Sequence, residues 1–246
     1  MEIIDINCAI GKRPVRQHFI TPDALVQAMD SYRISQAVVY HADALWNAGC
    51  GNTLMRDIAT ASAGRLQPCA VLRPNLGGGE MPDAAGLLAQ LQQKRPAAVR
   101  LFPQQDNYPL ERFFCGELLA VLNTARIPVL LEYGDGRWCA GLPSLVTDFP
   151  DLPFVLLRVP IRQSNIVLPL LAKTETVYAD IGTLIDTGLI EEIVRRYGSQ
   201  QLLFGSGMPV FLPAGALGMV LYARIAEDDR ARILAKNWQR LQEGRR

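Results

Sequence analysis

Seven side chains able to transfer a proton or bind an anion lie at or near the ends of the short apolar runs of this chain. They are Asn7, His41, Arg73, Arg100, Glu132, Arg158 and Asp180. Imidazole and carboxyl groups act as general acids and bases, so His41, Glu132 and Asp180 are candidate catalytic residues. Guanidinium groups bind carboxylate or phosphate through a planar fork of donors, so the three arginines, with Asn7, are candidate ligand-binding residues. These residue types favour a small anionic or carboxylated ligand.

Histidines are too few for an ordinary catalytic metal centre. The chain contains two, His18 and His41, and the second follows an apolar run in "VVYHAD". A catalytic divalent ion takes about three protein ligands and an open position. Two histidines that follow separate strands cannot make a three-ligand site alone, although an acid such as Asp5, Asp43, Glu132 or Asp180 could help. We therefore predict no bound metal and no other cofactor.

The apolar runs predict strands, and the stretches between them predict helices. The runs are Ile3–Ile6, Ala37–Tyr40, Leu66–Leu72, Ala97–Phe102, Pro128–Leu131, Phe154–Leu157, Thr176–Ala179 and Leu202–Phe204. Most are continuously apolar, as is typical of strands covered on both faces. Eight strand–helix units predict a (β/α)8 barrel, with an open doubly wound sheet as the alternative. In a barrel, the loops after the strands form one face, which brings the candidate residues together.

Helical patterns fill the longer intervals. They cover Pro22–Tyr32, Asn52–Ala63, Asp83–Lys94, Glu117–Ala125, Leu189–Tyr197 and Asp229–Leu241. Thr21 precedes the first of them as an N-cap, and Pro22 occupies the first helical position. No linker rich in proline or serine divides the chain, so we expect one domain over residues 1–246.

Composition excludes several classes of protein. The formal net charge is +1 and charged residues make up 20%, with no basic stripe that would indicate a nucleic-acid partner. Five cysteines without metal-ligand spacing fit neither a disulfide framework nor a zinc ribbon. We find no signal peptide and no apolar run long enough to cross a membrane, so we expect a cytoplasmic protein.

Five segments carry a resemblance to a known family. They read "IIDINCAIG", "PVLLEYG", "DFPDLPFVLLRVP", "LLFGSGMP" and "ARILAKNWQRL". The amidohydrolase-related metal-dependent hydrolases have, in the same order, IIDxHxHxG, PVxxHxG, FPDLxFVxAHxG, LLFGSDxP and ILxxNAxRLF. The chain resembles this family over nearly its whole length. The resemblance implies a TIM barrel of the metal-dependent hydrolase type, and it makes a homodimer reasonable.

The departures from the family pattern fall on the metal ligands. Asn7 and Ala9 stand where the family has its first two metal histidines, and Glu132 and Arg158 stand where it has the next two. Gly207 replaces the aspartate that, in the family, binds metal and takes the proton of the attacking water. The flanking residues are retained, so the resemblance implies that the scaffold is kept and the hydrolytic centre is lost.

A charge argument supports this interpretation. Arginine cannot be deprotonated in a protein, so Arg158 aimed at the metal position would repel a divalent ion. Glu132, on the neighbouring strand, is placed to form a bidentate ion pair with it. Our hypothesis is that the Glu132–Arg158 pair replaces the ion at the mouth of the barrel.

Two classes of function follow from these observations. The first, which we favour, is a barrel that has lost its metal centre and binds a small anionic ligand without hydrolysis. The second is a metal-independent hydrolase, lactonase or lyase that acts on a small carboxylated substrate, with arginines as the clamp. Since one barrel fold hosts many chemistries, the fold does not decide between them.

Individual candidates also have simpler explanations. His41 is either a general base or a hydrogen-bonded residue at a strand end. Asp180 is either a retained substrate contact or a helix cap.

For the arginines, the alternative to an anion clamp is pairing with acids in nearby loops. Arg73 and Arg100 would then bind residues such as Asp106 or Glu80. The two interpretations have equal weight at this point.

Overall fold

The protein is described here by a computed structural model. The structure describes residues 1–12, 19–74, 82–134, 136–160, 164–184 and 188–245. His18 and Glu80, both named in the sequence analysis, lie outside the described residues.

Parallel strands follow one another around a single sheet. The order is β2-β1-β3-β4-β5-β6-β7-β8-β9, and only the short β2 is antiparallel to its neighbour. The strands are β1 (Ile4–Lys12), β2 (Phe19–Ile20), β3 (Gln36–His41), β4 (Leu66–Val71), β5 (Ala98–Leu101), β6 (Val129–Glu132), β7 (Phe154–Leu157), β8 (Val177–Asp180) and β9 (Leu202–Leu203). Each of the eight predicted runs overlaps a strand, although β1 extends six residues beyond its predicted end at Ile6.

Hydrogen bonds between the first and last parallel strands close the sheet into a barrel. Ile6 donates its backbone N–H to the carbonyl of Phe204 at 3.0 Å, and Ala9 donates to Met208 at 2.9 Å. Gly207 donates in the opposite direction, to the carbonyl of Asn7 at 2.9 Å. An open doubly wound sheet has no such contacts, so the predicted (β/α)8 barrel is confirmed.

Helices cover the outside of the barrel. They are α1 (Pro22–Ser31), α2 (Ala48–Ala61), α3 (Ala84–Lys94), α4 (Arg112–Ala125), α5 (Leu142–Asp148), α6 (Ser164–Lys173), α7 (Leu189–Tyr197), α8 (Pro213–Tyr222), α9 (Glu227–Ala231) and α10 (Asn237–Glu243). The predicted helix Asp229–Leu241 is three segments, because a π-helical turn at Arg232–Lys236 joins α9 to α10. Among the described residues, no helix combines the length and apolarity needed to cross a bilayer.

Alternation along the strands separates the barrel interior from the helix layer. Ala98 and Leu130 belong to the interior apolar cluster, whereas Val99 and Leu131 pack against the helices. Side chains two residues apart on a strand share a face. Arg100 and Glu132 therefore point into the barrel, each at the carboxyl end of its strand.

Trp238 of α10 closes the amino-terminal end of the barrel. Its side chain is 1% exposed and packs with the interior cluster. Its indole Nε1 donates to the side chain of Gln67 on β4 at 3.0 Å. Burial of the ring and one satisfied hydrogen bond tie the last helix to the strands that carry the site.

We predict that Trp238→Ala lowers the free energy of unfolding by about 3–5 kcal/mol, because it leaves a cavity at a closed end of the barrel. Trp46, which is 74% exposed, is the matched control, and Trp46→Ala is expected to stay within about 0.5 kcal/mol of the parent. Urea unfolding of the two variants measures both changes. Equal losses in the two variants would contradict the role given to Trp238.

Candidate functional site

Five of the seven predicted site residues meet in one hydrogen-bonded network at the carboxyl end of the barrel. They are Asn7, Arg100, Glu132, Arg158 and Asp180. They come from β1, β5, β6, the residue after β7, and β8. The barrel brings them together because the parallel strands end at the same rim.

Arg100 is the innermost charge of this network. Its side chain is 4% exposed, and its guanidinium donates to Asn7 Oδ1 at 2.9 Å and to Glu132 Oε2 at 2.5 Å. The guanidinium carbon also lies 4.8 Å from the ring centre of Tyr40 and 5.1 Å from that of Phe102. Burial acts to lower the pKa of Arg100, but the charge of Glu132 and the other neighbours outweighs it, and the net shift is upward. Arg100 is therefore a permanent buried cation.

Asp180 joins the inner part of the network to the chain after β7. It is fully buried, and its Oδ2 accepts from Asn7 Nδ2 at 3.0 Å. Its Oδ1 accepts from the backbone N–H of Arg158 at 2.9 Å. Burial raises the pKa of Asp180 to about 7, although the hydrogen bonds from Arg158 and Asn7 act to lower it. Near neutral pH this carboxyl group is therefore only partly ionised.

The predicted Glu132–Arg158 pair differs from our expectation. Glu132 Oε1 lies 3.4 Å from Arg158 Nη1, whereas its Oε2 is 2.5 Å from Arg100. Glu132 is thus shared by two guanidinium groups, and the shorter of the two contacts is to Arg100. The prediction of a bidentate Glu132–Arg158 ion pair was wrong, because two arginines compete for the Glu132 carboxylate.

Arg158 is the most exposed cation of the network. Its side chain is 32% exposed, and its guanidinium lies 4.7 Å from the ring centre of Phe211. The buried Nε of Arg158 has no hydrogen-bond partner among the described residues. Its backbone φ is +54°, in the left-handed region that residues other than glycine rarely adopt. Among the described residues its guanidinium has one ion-pair contact, from Nη1 to Glu132, so its outer N–H groups keep donor capacity for a ligand.

His41 and Arg73 lie outside the network. His41 Nδ1 accepts from the backbone N–H of Asp43 at 3.2 Å, and its ring packs over Gly11 on β1. Arg73 Nε pairs with Asp106 at 2.9 Å, which is the pairing with a loop acid that we had considered. Arg100 pairs instead with an acid at the end of a strand.

Sequence reasoning missed three contributors to the site. Asp5 Oδ1 accepts from the backbone N–H groups of Asn7 at 3.0 Å and of Ser206 at 2.9 Å, and this fixes the turn after β1 to the loop after β9. Phe211 packs against Arg158 and also lies over Gly207. The signal for Asp5 was present in "IIDINCAIG", but nothing in the sequence marks Phe211.

Gly205 is the third missed residue. A Cβ atom there would lie 2.8 Å from Asp180 Oδ2 and 3.0 Å from the Cβ of Asn7. The chain at the end of β9 lies between β8, with which β9 pairs, and β1, which bonds to Phe204, so the Asn7–Asp180 bond passes over the chain just after this strand. The missing side chain is what allows the two residues to meet.

The donor set does not fit a divalent ion. Glu132 binds two guanidinium groups, both oxygens of Asp180 accept N–H groups, and the amide of Asn7 is engaged through its oxygen and its nitrogen. Across the described part of the chain, no three histidine, cysteine, aspartate or glutamate side chains form a group able to hold a metal. The permanent charge of Arg100 would also repel a cation placed among these residues.

Comparison with known proteins shows the fold. No family model and no curated protein sequence matches the chain. An uncharacterized TIM-barrel protein from Bordetella bronchiseptica is similar, with a TM-score of 0.76, 15% identity and 99% of each chain covered.

Two decarboxylases are similar over the same extent. The 5-carboxyvanillate decarboxylase from Sphingomonas paucimobilis has a TM-score of 0.73 and 12% identity, with 98% of this chain and 99% of that chain covered. A dihydroxybenzoic acid decarboxylase from Polaromonas sp., solved with manganese and an inhibitor, has a TM-score of 0.74 and 13% identity, with 98% and 97% covered. The TIM-barrel fold that the resemblance implied is therefore confirmed.

We predict that Gly205→Ala lowers the free energy of unfolding by about 1–3 kcal/mol, because the added methyl group forces Asn7 and Asp180 apart. The matched control is Gly218→Ala in α8, where a Cβ atom meets no other atom within 4 Å. That helical substitution is expected to be neutral, or to stabilise by up to about 1 kcal/mol. Thermal unfolding of both variants measures the difference, and a Gly205→Ala protein as stable as the control would show that the close approach is not needed.

The raised pKa of Asp180 predicts a pH-dependent stability. Between the ordinary carboxyl pKa, about 4, and the folded-state value, about 7, the folded protein holds a proton that the unfolded chain has released. The contribution of Asp180 to stability is therefore full below about pH 4 and is lost as the pH rises through about 7.

The Asp180→Asn variant tests this expectation because an amide does not titrate. The difference in unfolding free energy, parent minus variant, should fall steadily as the pH rises from about 4 to about 7, and then level off. Asp57→Asn, at an exposed acid, gives the control difference. A parent-minus-variant difference that rises with pH would mean that Asp180 is stabilised as an ion.

Proposed function

We propose that this barrel binds a small carboxylated anion at its carboxyl-end mouth, without a divalent metal, and that Arg158 makes the principal contact. The observation that carries the proposal is the sharing of Glu132 by Arg100 and Arg158. Within the described part of the chain, two permanent cations share the Glu132 carboxylate, so the outer cation keeps part of its charge for a ligand.

The charge balance of the network favours an anion. Arg100 and Arg158 contribute two positive charges and Glu132 one negative charge. Asp180 adds only part of a charge near neutral pH, because burial raises its pKa to about 7. A carboxylate at Arg158 would complete the balance through charge-assisted hydrogen bonds, which are roughly twice as strong as neutral ones.

The inner cation supports binding without a metal. Arg100 donates to Asn7 and Glu132, which stand at two positions where the resembled family has metal histidines. We propose that this guanidinium replaces the ion as the positive centre of the barrel. It is fixed covalently to β5, so it supplies charge but no open coordination position.

The similar proteins agree with the ligand class and differ in the metal. The Sphingomonas paucimobilis enzyme is named for a carboxylated substrate, and the Polaromonas sp. enzyme was solved with manganese bound. We propose that this chain shares with these proteins the binding of a carboxylated small molecule, but not the binding of manganese. A homodimer, a cytoplasmic location and the absence of a nucleic-acid partner are further expectations from sequence.

A metal-free hydrolase, lactonase or lyase is the second candidate, and the pKa of Asp180 near 7 favours it, since a general acid or base works best near the operating pH. However, Asp180 is 0% exposed and both of its oxygens accept hydrogen bonds. Glu132 is bound by two arginines, and His41 packs away from the network over Gly11. Binding therefore has the stronger support.

The test is a calorimetric titration with acetate, benzoate, succinate and inorganic phosphate, with and without manganese or zinc. We expect a carboxylate to bind, and Arg158→Gln to weaken that binding by about tenfold or more, because a charge-assisted contact is lost. Arg112→Gln removes an exposed arginine that pairs with Asp148, and it should leave the affinity unchanged.

Two results would overturn the proposal. One is the absence of binding by every carboxylate in the panel. The other is a carboxylate affinity that depends on stoichiometric manganese or zinc, found in the purified protein by elemental analysis.

A further inference from the structure

Arg158 is held at two places. Its backbone contacts Asp180, and its guanidinium contacts Glu132 and Phe211. The backbone N–H of Arg158 donates to Asp180 Oδ1 at 2.9 Å, at a residue whose φ is +54°. A left-handed conformation at a residue other than glycine persists only where the surroundings hold it. The hydrogen bond to Asp180 can hold the Arg158 backbone in this left-handed conformation. The backbone conformation in turn sets the direction in which the Arg158 side chain leaves the strand end.

The second oxygen of Asp180 has a partner of fixed orientation. Asn7 Nδ2 donates to Asp180 Oδ2 at 3.0 Å, while Asn7 Oδ1 accepts from Arg100 at 2.9 Å. If the Asn7 amide turned over, an NH2 group would face the guanidinium of Arg100, and both bonds would be lost. Both terminal atoms of the residue 180 side chain must therefore be hydrogen-bond acceptors, as the two carboxyl oxygens of Asp180 are.

We infer that Asp180 is the positioning residue of the ligand-binding arginine, acting through the backbone of Arg158 without touching the ligand. This inference rests on the proposed function. The guanidinium end of Arg158 is placed by Phe211 at 4.7 Å and by Glu132 at 3.4 Å. Asp180 fixes the other end of the same side chain, so that the fork points in one direction before a ligand arrives.

Charged groups around Asp180 come from several strands. Arg158 follows β7, Glu132 ends β6 and Arg100 lies on β5. Both Glu132 and Arg100 act on the Asp180 carboxyl group electrostatically. Their influence on Asp180 is through charge alone, so the hydrogen bonds that orient the carboxyl group are those from Asn7 and the Arg158 backbone.

Asp180→Asn separates positioning from folding. Asparagine has the same size and adds no buried charge, so the barrel is expected to form. Its amide nitrogen, however, must face either Asn7 Nδ2 or the Arg158 N–H, and one of the two bonds is replaced by a contact between donors. In the first case residue 180 loses its bond to Asn7, which fixes its orientation. In the second case the Arg158 backbone loses its bond to residue 180.

The first measurement is the dissociation constant of the carboxylate that binds the parent protein most tightly, with benzoate as the reference probe. We expect Asp180→Asn to raise it about tenfold, the factor that one lost hydrogen bond produces. Asp148→Asn, which removes the partner of Arg112 on the protein surface, is the control and should leave the dissociation constant unchanged.

The second measurement needs no ligand. In protein labelled with 15N-arginine, the Arg158 amide signal is identified by its loss in Arg158→Lys. An amide that donates to a carboxylate resonates at low field, so we expect a downfield Arg158 signal in the parent and an upfield shift in Asp180→Asn. A residue with only a general structural role would not move this one signal selectively.

The two measurements separate the failure of each claim. A downfield Arg158 amide that shifts in Asp180→Asn, together with weaker binding, supports the inference. If the variant binds carboxylate as tightly as the parent, positioning by Asp180 is wrong and the proposed function stands. If no carboxylate binds the parent, the proposed function fails. The amide signal then decides the positioning alone, and an Arg158 amide unaffected by Asp180→Asn overturns it.

Discussion

The guanidinium of Arg100 is a permanent charge inside the barrel, and the rest of the site is arranged to compensate it. Removing such a charge from water costs several kcal/mol unless partners replace the lost hydration. The partners are the Asn7 carbonyl, the Glu132 carboxylate and the faces of Tyr40 and Phe102. The contact with Arg100 fixes the orientation of each of these groups.

These fixed orientations extend outward to the barrel mouth along two routes. Through Glu132, the inner cation shares a carboxylate with Arg158. Through Asn7, whose oxygen faces Arg100, the amide nitrogen must face Asp180, and Asp180 in turn holds the Arg158 backbone. One buried charge thereby constrains both ends of the partly exposed Arg158 side chain.

The residue types in the network suit a guanidinium better than a metal ion. A guanidinium has five N–H donors and needs acceptors with lone pairs in a plane, which an amide oxygen and a carboxylate supply. A divalent metal in the resembled family takes a lone pair from each of several histidines. Asn7 and Glu132 at two of those positions therefore belong with Arg100 as one chemical set.

Sequence alone predicted the strands and five residues that meet at the barrel mouth, but not how those residues pair, and it also named His41 and Arg73, which lie outside the network. The strands were predictable because they are buried on both faces and read as short apolar runs. Glu132 ends a strand whose neighbour β5 carries Arg100 and whose other neighbour, β7, is followed by Arg158, and the sequence does not show which arginine pairs more closely with Glu132. The Asn7–Asp180 bond was less predictable still, since it passes over Gly205, in the chain just after β9. Three helices were missed for local reasons: α5 has only 7 residues, α6 contains Pro169, and α8 is apolar nearly throughout and so lacks a polar face.

Gly207 lies beside the aromatic ring that contacts Arg158. It stands where the resembled family has its aspartate, with φ at +82°, and a Cβ atom there would lie 3.1 Å from the ring of Phe211. That same ring lies against the guanidinium of Arg158. An aspartate at this position would need both a strained backbone and a displaced Phe211, so it would disturb the contact that places Arg158. The absence of a side chain at Gly207 and the position of Arg158 are therefore parts of one arrangement, in which the aromatic ring fills the space above the barrel that the acid would need.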